Sequence, residues 1–175
     1  MKAISFFKPQ SLILSVALCT LATSLAAVES AADKVDSLIS SCPWIGLIAD
    51  SVTYGPITIG HLDIEGAGRL VFCEPGEVIE GTLNYQINAS QFDSWDFHHI
   101  VVGLREQSAQ SCIIHSLGIW NREGTTSFSF NAPQEAGMYE ICFDYHNAAF
   151  CSDAMKGWLD SPPSRKATIG ILIVE

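Results

Sequence analysis

The sequence predicts an all-β fold, an antiparallel Greek-key β-sandwich, on three observations. Ile79, Gly81, Leu83, Tyr85 and Ile87 alternate with Glu80, Thr82, Asn84 and Gln86, the two-residue period of a strand with one buried face. Tyr139, Ile141, Phe143 and Tyr145 alternate in the same way with Glu140, Cys142 and Asp144. Turn signals rich in Pro and Gly at residues 74–76, 123–124 and 133–137 separate short apolar runs, the punctuation of sandwiches and barrels.

Taken in order, the chain opens on Lys2 and Lys8, followed by an apolar run over about 16 residues that closes on Ser24-Leu25-Ala26. This is the pattern of a cleaved signal peptide over residues 1–26. The run is shorter than the about 20 residues a membrane span needs, and no later segment is long and apolar enough, so no membrane-spanning segment is expected after cleavage. Residues 27–52 read as a leader, with a small helical stripe of Val35, Leu38 and Ile39 ended by Cys42-Pro43. The sandwich domain is expected over residues 53–175. Its strands fall at about 56–64, 68–73, 77–88, 97–105, 111–117, 125–131, 138–146 and 167–174. The runs at 100–104 and 169–174 are apolar on both faces, which suits central or covered strands. A short helix is expected at residues 152–159.

Composition excludes one class of partner. Removing residues 1–26 takes away Lys2 and Lys8 and no acid, leaving 7 basic against 19 acidic side chains, a net charge of −12. No basic stripe interrupts that surface, so no nucleic acid is expected as a partner. The cysteines agree with export. Cys42, Cys73, Cys112, Cys142 and Cys151 remain, an odd number, and an oxidising compartment pairs most of them. Cys151 opens the expected helix, so a Cys112–Cys151 bridge would pin that helix to a strand, with Cys73–Cys142 as the companion bridge and Cys42 left over. The sequence leaves other arrangements open. Asn88-Ala89-Ser90 is a glycosylation sequon in a eukaryotic host.

The run Glu135-Ala136-Gly137-Met138-Tyr139 resembles the acid-x-Gly-x-Tyr segment leading into the sixth strand of immunoglobulin-like and fibronectin-like domains. There the Tyr braces a corner by hydrogen bonding back to the main chain. The resemblance implies an immunoglobulin-like sandwich. It departs from the antibody pattern because the position two residues after the Tyr is Ile141, and Cys142 belongs to the other face. The same region also resembles the copper-binding end of a cupredoxin, with Gly137, Tyr139, Cys142, His146 and Met155, and His98 or His99 upstream. That resemblance implies a copper site of His98, Cys142, His146 and Met155. Against it, Cys142 and His146 are four residues apart, about 13 Å on a continuous strand, whereas ligands lie within about 2 to 2.3 Å of one ion.

Other chemistry finds no support in the sequence. There is no Gly-x-Ser-x-Gly elbow, His-Glu-x-x-His or phosphate-cradling glycine loop. Glu140 and Asp144 share a face but stand about 13 Å apart, beyond a glycosidase pair, and read as a solvated acidic face. His98 and His99 are adjacent on a strand and face opposite sides, one to the core and one to the surface. The remaining reading is a secreted or periplasmic binding module, not an enzyme and without a cofactor, for a protein or glycan ligand. Trp95, Trp120 and Trp158 are its candidate ligand-binding aromatics, at strand ends or loops where such rings stack on sugars or anchor interfaces, unless they plug the sandwich ends or pack the 152–159 helix against a sheet.

Overall fold

A computed structural model of the chain describes residues 49–88, 97–117 and 122–175. The expected signal segment, and the leader up to residue 48, lie outside these residues. Nine strands and one α-helix fall among the described residues: β1 (Ser51–Tyr54), β2 (Ile57–Ile64), β3 (Leu70–Cys73), β4 (Val78–Ile87), β5 (Phe97–Leu104), β6 (Gln110–Leu117), β7 (Arg122–Asn131), β8 (Gly137–Asn147), α1 (Cys151–Asp160) and β9 (Thr168–Val174). Each of the eight expected strands meets an observed one within a few residues. β1 is additional, turned back onto β2 at Gly55, whose positive φ of 57° suits glycine.

The strands form two sheets, one of order β1-β2-β4-β7 and one of order β3-β9-β8-β5-β6. Every pairing is antiparallel except β3 with β9, which run parallel in the register Leu70↔Ile171 to Cys73↔Val174. The alternation that predicted β4 is realised without a break: Ile79, Gly81, Leu83, Tyr85 and Ile87 are buried and their neighbours exposed. The main core lies between the sheets, where Ile57, Ile59, Ile79, Leu83 and Phe128 of the first meet Ile100, Val102, Ile141, Phe143 and Leu172 of the second. At about 1.5 to 3 kcal/mol for each large apolar side chain removed from water, this interface is the principal source of stability. The strands apolar on both faces occupy the centre of the five-stranded sheet. Behind β5 and β8, α1 lays Ala154 and Trp158 over Val101 and Cys142, forming a second, smaller core.

The corner between β7 and β8 is braced as the Glu135 to Tyr139 segment implies: the Tyr139 hydroxyl donates to the Glu135 carbonyl at 2.8 Å. On the far side of β8, Glu140 ties down the connection from α1 to β9. Its carboxylate pairs with Arg165 at 3.0 Å and accepts from the Thr168 hydroxyl at 3.2 Å. Glu140 and Asp144 are both partly buried, so the acidic face is less solvated than expected.

Cys112 and Cys151 form a disulfide between β6 and the first residue of α1, as favoured from sequence. The expected companion does not form: Cys73 and Cys142 are both buried free thiols. Register explains this. Cys73 pairs with Val174 at one end of β9 and Cys142 with Thr168 at the other. Six strand residues separate those positions by about 20 Å, and a disulfide needs Cα atoms within about 7 Å. Cys73 also faces the main core whereas Cys142 faces the helix. Cys42 lies outside the described residues. Among the described residues no helix is long and apolar enough to cross a membrane.

Candidate functional site

Two places in the fold present chemistry. The first is the outer face of the four-stranded sheet. Because side chains alternate, the exposed positions of β1, β2, β4 and β7 line up in cross-strand rows. One row runs Thr53, Thr58, Gln86, Glu123 and the next Ser51, Gly60, Asn84, Thr125. Neighbours within the rows hold one another: Thr53 and Thr58 hydroxyls lie 2.8 Å apart, and the Thr125 hydroxyl donates to Asn84 Oδ1 at 2.7 Å. Gly60 leaves the middle of the second row without a side chain. Two shallow hollows result, of about 520 Å³ and 470 Å³, which share Thr58, Gln86 and Glu123. Asn88, the sequon asparagine, and Arg122 stand at the rim of the first.

The second place is the seam between α1 and the five-stranded sheet. His99 is wholly buried there. Its Nε2 lies 2.8 Å from the Ala148 carbonyl, which only accepts, so the neutral ring carries its proton on Nε2. Nδ1 then turns its lone pair toward the disulfide, 3.4 Å from Cys151 Sγ and 3.7 Å from Cys112 Sγ. The imidazole nitrogen and the two sulfurs lie within 4.8 Å of one another. His146 is the cross-strand partner of His99, and its Nε2 is enclosed without a hydrogen-bond partner among the described residues. Gly157 lets the helix come this close, since a Cβ there would lie 3.0 Å from the His146 ring.

Beneath the helix, burial governs the titration of the acids and thiols. Desolvation pushes the Cys142 thiol up to about 12, a contact with the Thr168 hydroxyl at 3.4 Å offsetting it in part. The Asp144 carboxyl is raised by burial against the lowering effects of the Tyr145 amide and His146. Cys73, at the other end of the sheet, is pushed up to about 11 by burial and then by Glu77, Glu65 and Glu74.

The four residues of the cupredoxin-like set do not converge. His98 shares the face of Ile100 and Val102 toward the main core, whereas Cys142 and His146 project to the helix side of the same sheet. The surface position expected for one histidine of the pair is corrected: both His98 and His99 are buried, the second because α1 covers it. Of the candidate aromatics, Trp158 is completely buried, and its Nε1 donates to the Leu104 carbonyl at 3.2 Å. It offers no face to a ligand and instead packs the helix onto the sheet. Trp95 and Trp120 lie outside the described residues.

The His99 cluster escaped sequence reasoning for a specific reason. In a regular β6, Cys112 and Ile114 would share a face. The ladder instead pairs Ile100 with Ile114 and Val101 with Cys112, so Ile113 is an extra residue that turns Cys112 toward the helix. The one available signal was that His99, on the opposite face from His98, shares the phase of Val101 under a helix headed by Cys151. Comparison with protein-family models and with curated proteins finds no match for this chain.

Proposed function

We propose that this chain is an exported, non-catalytic binding domain of immunoglobulin-like topology whose ligand is a glycan held on the open face of the four-stranded sheet. The observation that carries the reading is the pair of rows around Gly60, which bear hydroxyl and amide groups and end, in the first, on the carboxylate of Glu123. Hydrogen bonds within the rows order these side chains before a ligand arrives, which lowers the entropy cost of binding. A protein partner fits this face less well, because interface cores favour aromatic and other large apolar anchors, and none of the residues lining the two hollows is an exposed large hydrophobic. The Tyr139 brace and the strand order support the immunoglobulin-like reading. Export rests on residues 1–26 and agrees with the disulfide.

With neutral hydrogen bonds contributing about 0.5 to 1.5 kcal/mol each, monovalent affinity is on the order of 0.1 to 1 mM, and a glycan array supplies the multivalency that makes it visible. The expected result is selective array binding that falls at least about tenfold, 1.4 kcal/mol, in the Asn84→Ala/Gln86→Ala variant. Both positions are exposed, so the fold should be unaffected. No array binding, or binding indifferent to the double substitution, sinks the reading; capture of a protein ligand through the same face would replace the glycan. N-terminal sequencing of the exported form should begin at residue 27.

A further inference from the structure

Independently of the sheet face, we propose that reduction of the Cys112–Cys151 disulfide opens a three-ligand site for a thiophilic d¹⁰ cation, Zn(II) or Cu(I), built from both thiolates and His99 Nδ1. The geometry is nearly in place. A tetrahedral ion with bonds of about 2.3 Å to sulfur and 2.0 to 2.1 Å to nitrogen sets its sulfur and nitrogen ligands about 3.6 Å apart. His99 Nδ1 already stands 3.4 Å and 3.7 Å from the two sulfurs. One separation has to change: the sulfurs move from bonded contact to about 3.8 Å, the tetrahedral value for two such bonds.

The surroundings hold the three groups in place. The Ala148 carbonyl accepts from Nε2, which turns Nδ1 toward the two sulfurs, the orienting hydrogen bond that metal-bound histidines commonly make. Cys151 is the first residue of α1, so the helix start holds its sulfur beside Nδ1. Two thiolates with one imidazole suit Zn(II) and Cu(I) over harder ions. The fourth position of a zinc ion would fall to water. His146 stands opposite His99 on the neighbouring strand and outside the 4.8 Å triad.

The chemistry balances with a dithiol reductant. The dithiol transfers two electrons to the Cys112–Cys151 bond and leaves as its own disulfide, and the protein is left with two thiols. Binding of Zn(II) then releases two protons to solvent, one from each thiol, as two Zn–S bonds and one Zn–N bond form. Both cysteines are partly exposed, so an external thiol can reach the bond.

The test uses the whole mature chain. Zn(II) is titrated against a chromophoric chelator, and Co(II) is used as a spectroscopic probe, with oxidised protein and with protein reduced by a phosphine. Reduced protein should bind one Zn(II) and give thiolate-to-Co(II) charge-transfer absorption, and oxidised protein should do neither. Cu(I) competition then ranks the two ions. A Cys42→Ser/Cys73→Ser/Cys142→Ser background should leave the site intact. In that background Cys112→Ser/Cys151→Ser should abolish it, and His99→Gln should weaken it by about a hundredfold or more. Should the reduced chain unfold, refolding with and without Zn(II) decides: metal-dependent recovery of structure supports the site, and equal yields overturn it. Folded, reduced protein that binds no ion at one equivalent, or a Cys112→Ser/Cys151→Ser variant that still binds, also overturns it.

Discussion

The Tyr139 hydroxyl donates to the Glu135 carbonyl four residues upstream at 2.8 Å, so the strand that leaves the β7–β8 corner closes the corner behind it. Tyr139→Phe removes this bond and keeps the ring packed against the core. The expected loss is about 1 kcal/mol of folding stability, read as a lower urea midpoint with an unchanged slope. An unchanged midpoint would show that the brace contributes nothing.

Trp158 carries α1 onto the sheet, buried against Val101, Cys142 and Ala154 with its Nε1 on the Leu104 carbonyl. Trp158→Ala should cost about 3 to 5 kcal/mol, and Trp158→Phe should cost less, because it restores most of the volume and loses only the Nε1 hydrogen bond to a carbonyl that also accepts from the Gln107 amide. Thermal unfolding of both variants checks the order. Glycan binding by the fraction that remains folded should not change.

Cys73 and Cys142 should be chemically silent in the native protein. With their thiols pushed up to about 11 and about 12, roughly a thousandth part or less of either is ionised at pH 7.5. A thiol-reactive dye added to oxidised protein should label neither residue until denaturant is present. Rapid labelling of Cys142 under native conditions would show that the helix lifts off the sheet.

The disulfide closes a loop with a sequence separation of 39. In the chain-entropy account a loop of that length is worth about 4 kcal/mol, so reduction should lower the melting temperature measurably. If the seam then takes up Zn(II), the melting temperature of reduced protein should climb again with metal concentration, as expected for any ligand that binds the folded state alone. A reduced protein whose melting point ignores Zn(II) would count against the metal site.

Asp144 gives stability a pH dependence of unusual sign for a carboxylate. Burial raises its folded-state pKa above the unfolded value. The native state therefore holds the proton more tightly, and the stabilisation is fully present below the unfolded pKa and lost as pH rises through the folded one. Asp144→Asn removes this term, and its Oδ1 can still accept from the Tyr145 amide. The stability of wild type relative to that variant should grow as pH falls from 7 toward about 4 and then level off. A difference independent of pH would refute the assignment.

Much of this fold was legible because side-chain period reports burial directly. The alternation in β4, the split of β8 into Ile141 and Phe143 against Cys142 and Asp144, and the two-faced apolar runs of β5 and β9 each follow from which face meets which layer. The Cys112–Cys151 pairing followed from a helix that needs an anchor. What escaped depends on partners distant in sequence. Which edge β3 joins decides that Cys73 and Cys142 sit at opposite ends of β9. One extra residue at Ile113 decides that Cys112 meets His99. Neither register leaves a mark on a local pattern. Trp158 illustrates the same limit from the other side: a tryptophan near a helix end reads alike whether the helix lies on a sheet or in solvent.

The parallel pairing of β3 with β9 has a consequence for how the protein is made. Leu70 meets Ile171 about 100 residues later, and β9 lies between β3 and β8 in the sheet. No growing chain can seat β3 until the ribosome has synthesised and released the segment through Val174. Contacts of such long separation also form slowly. A nascent chain thus carries an unfinished five-stranded sheet, with β3 unpaired, until β9 has been made.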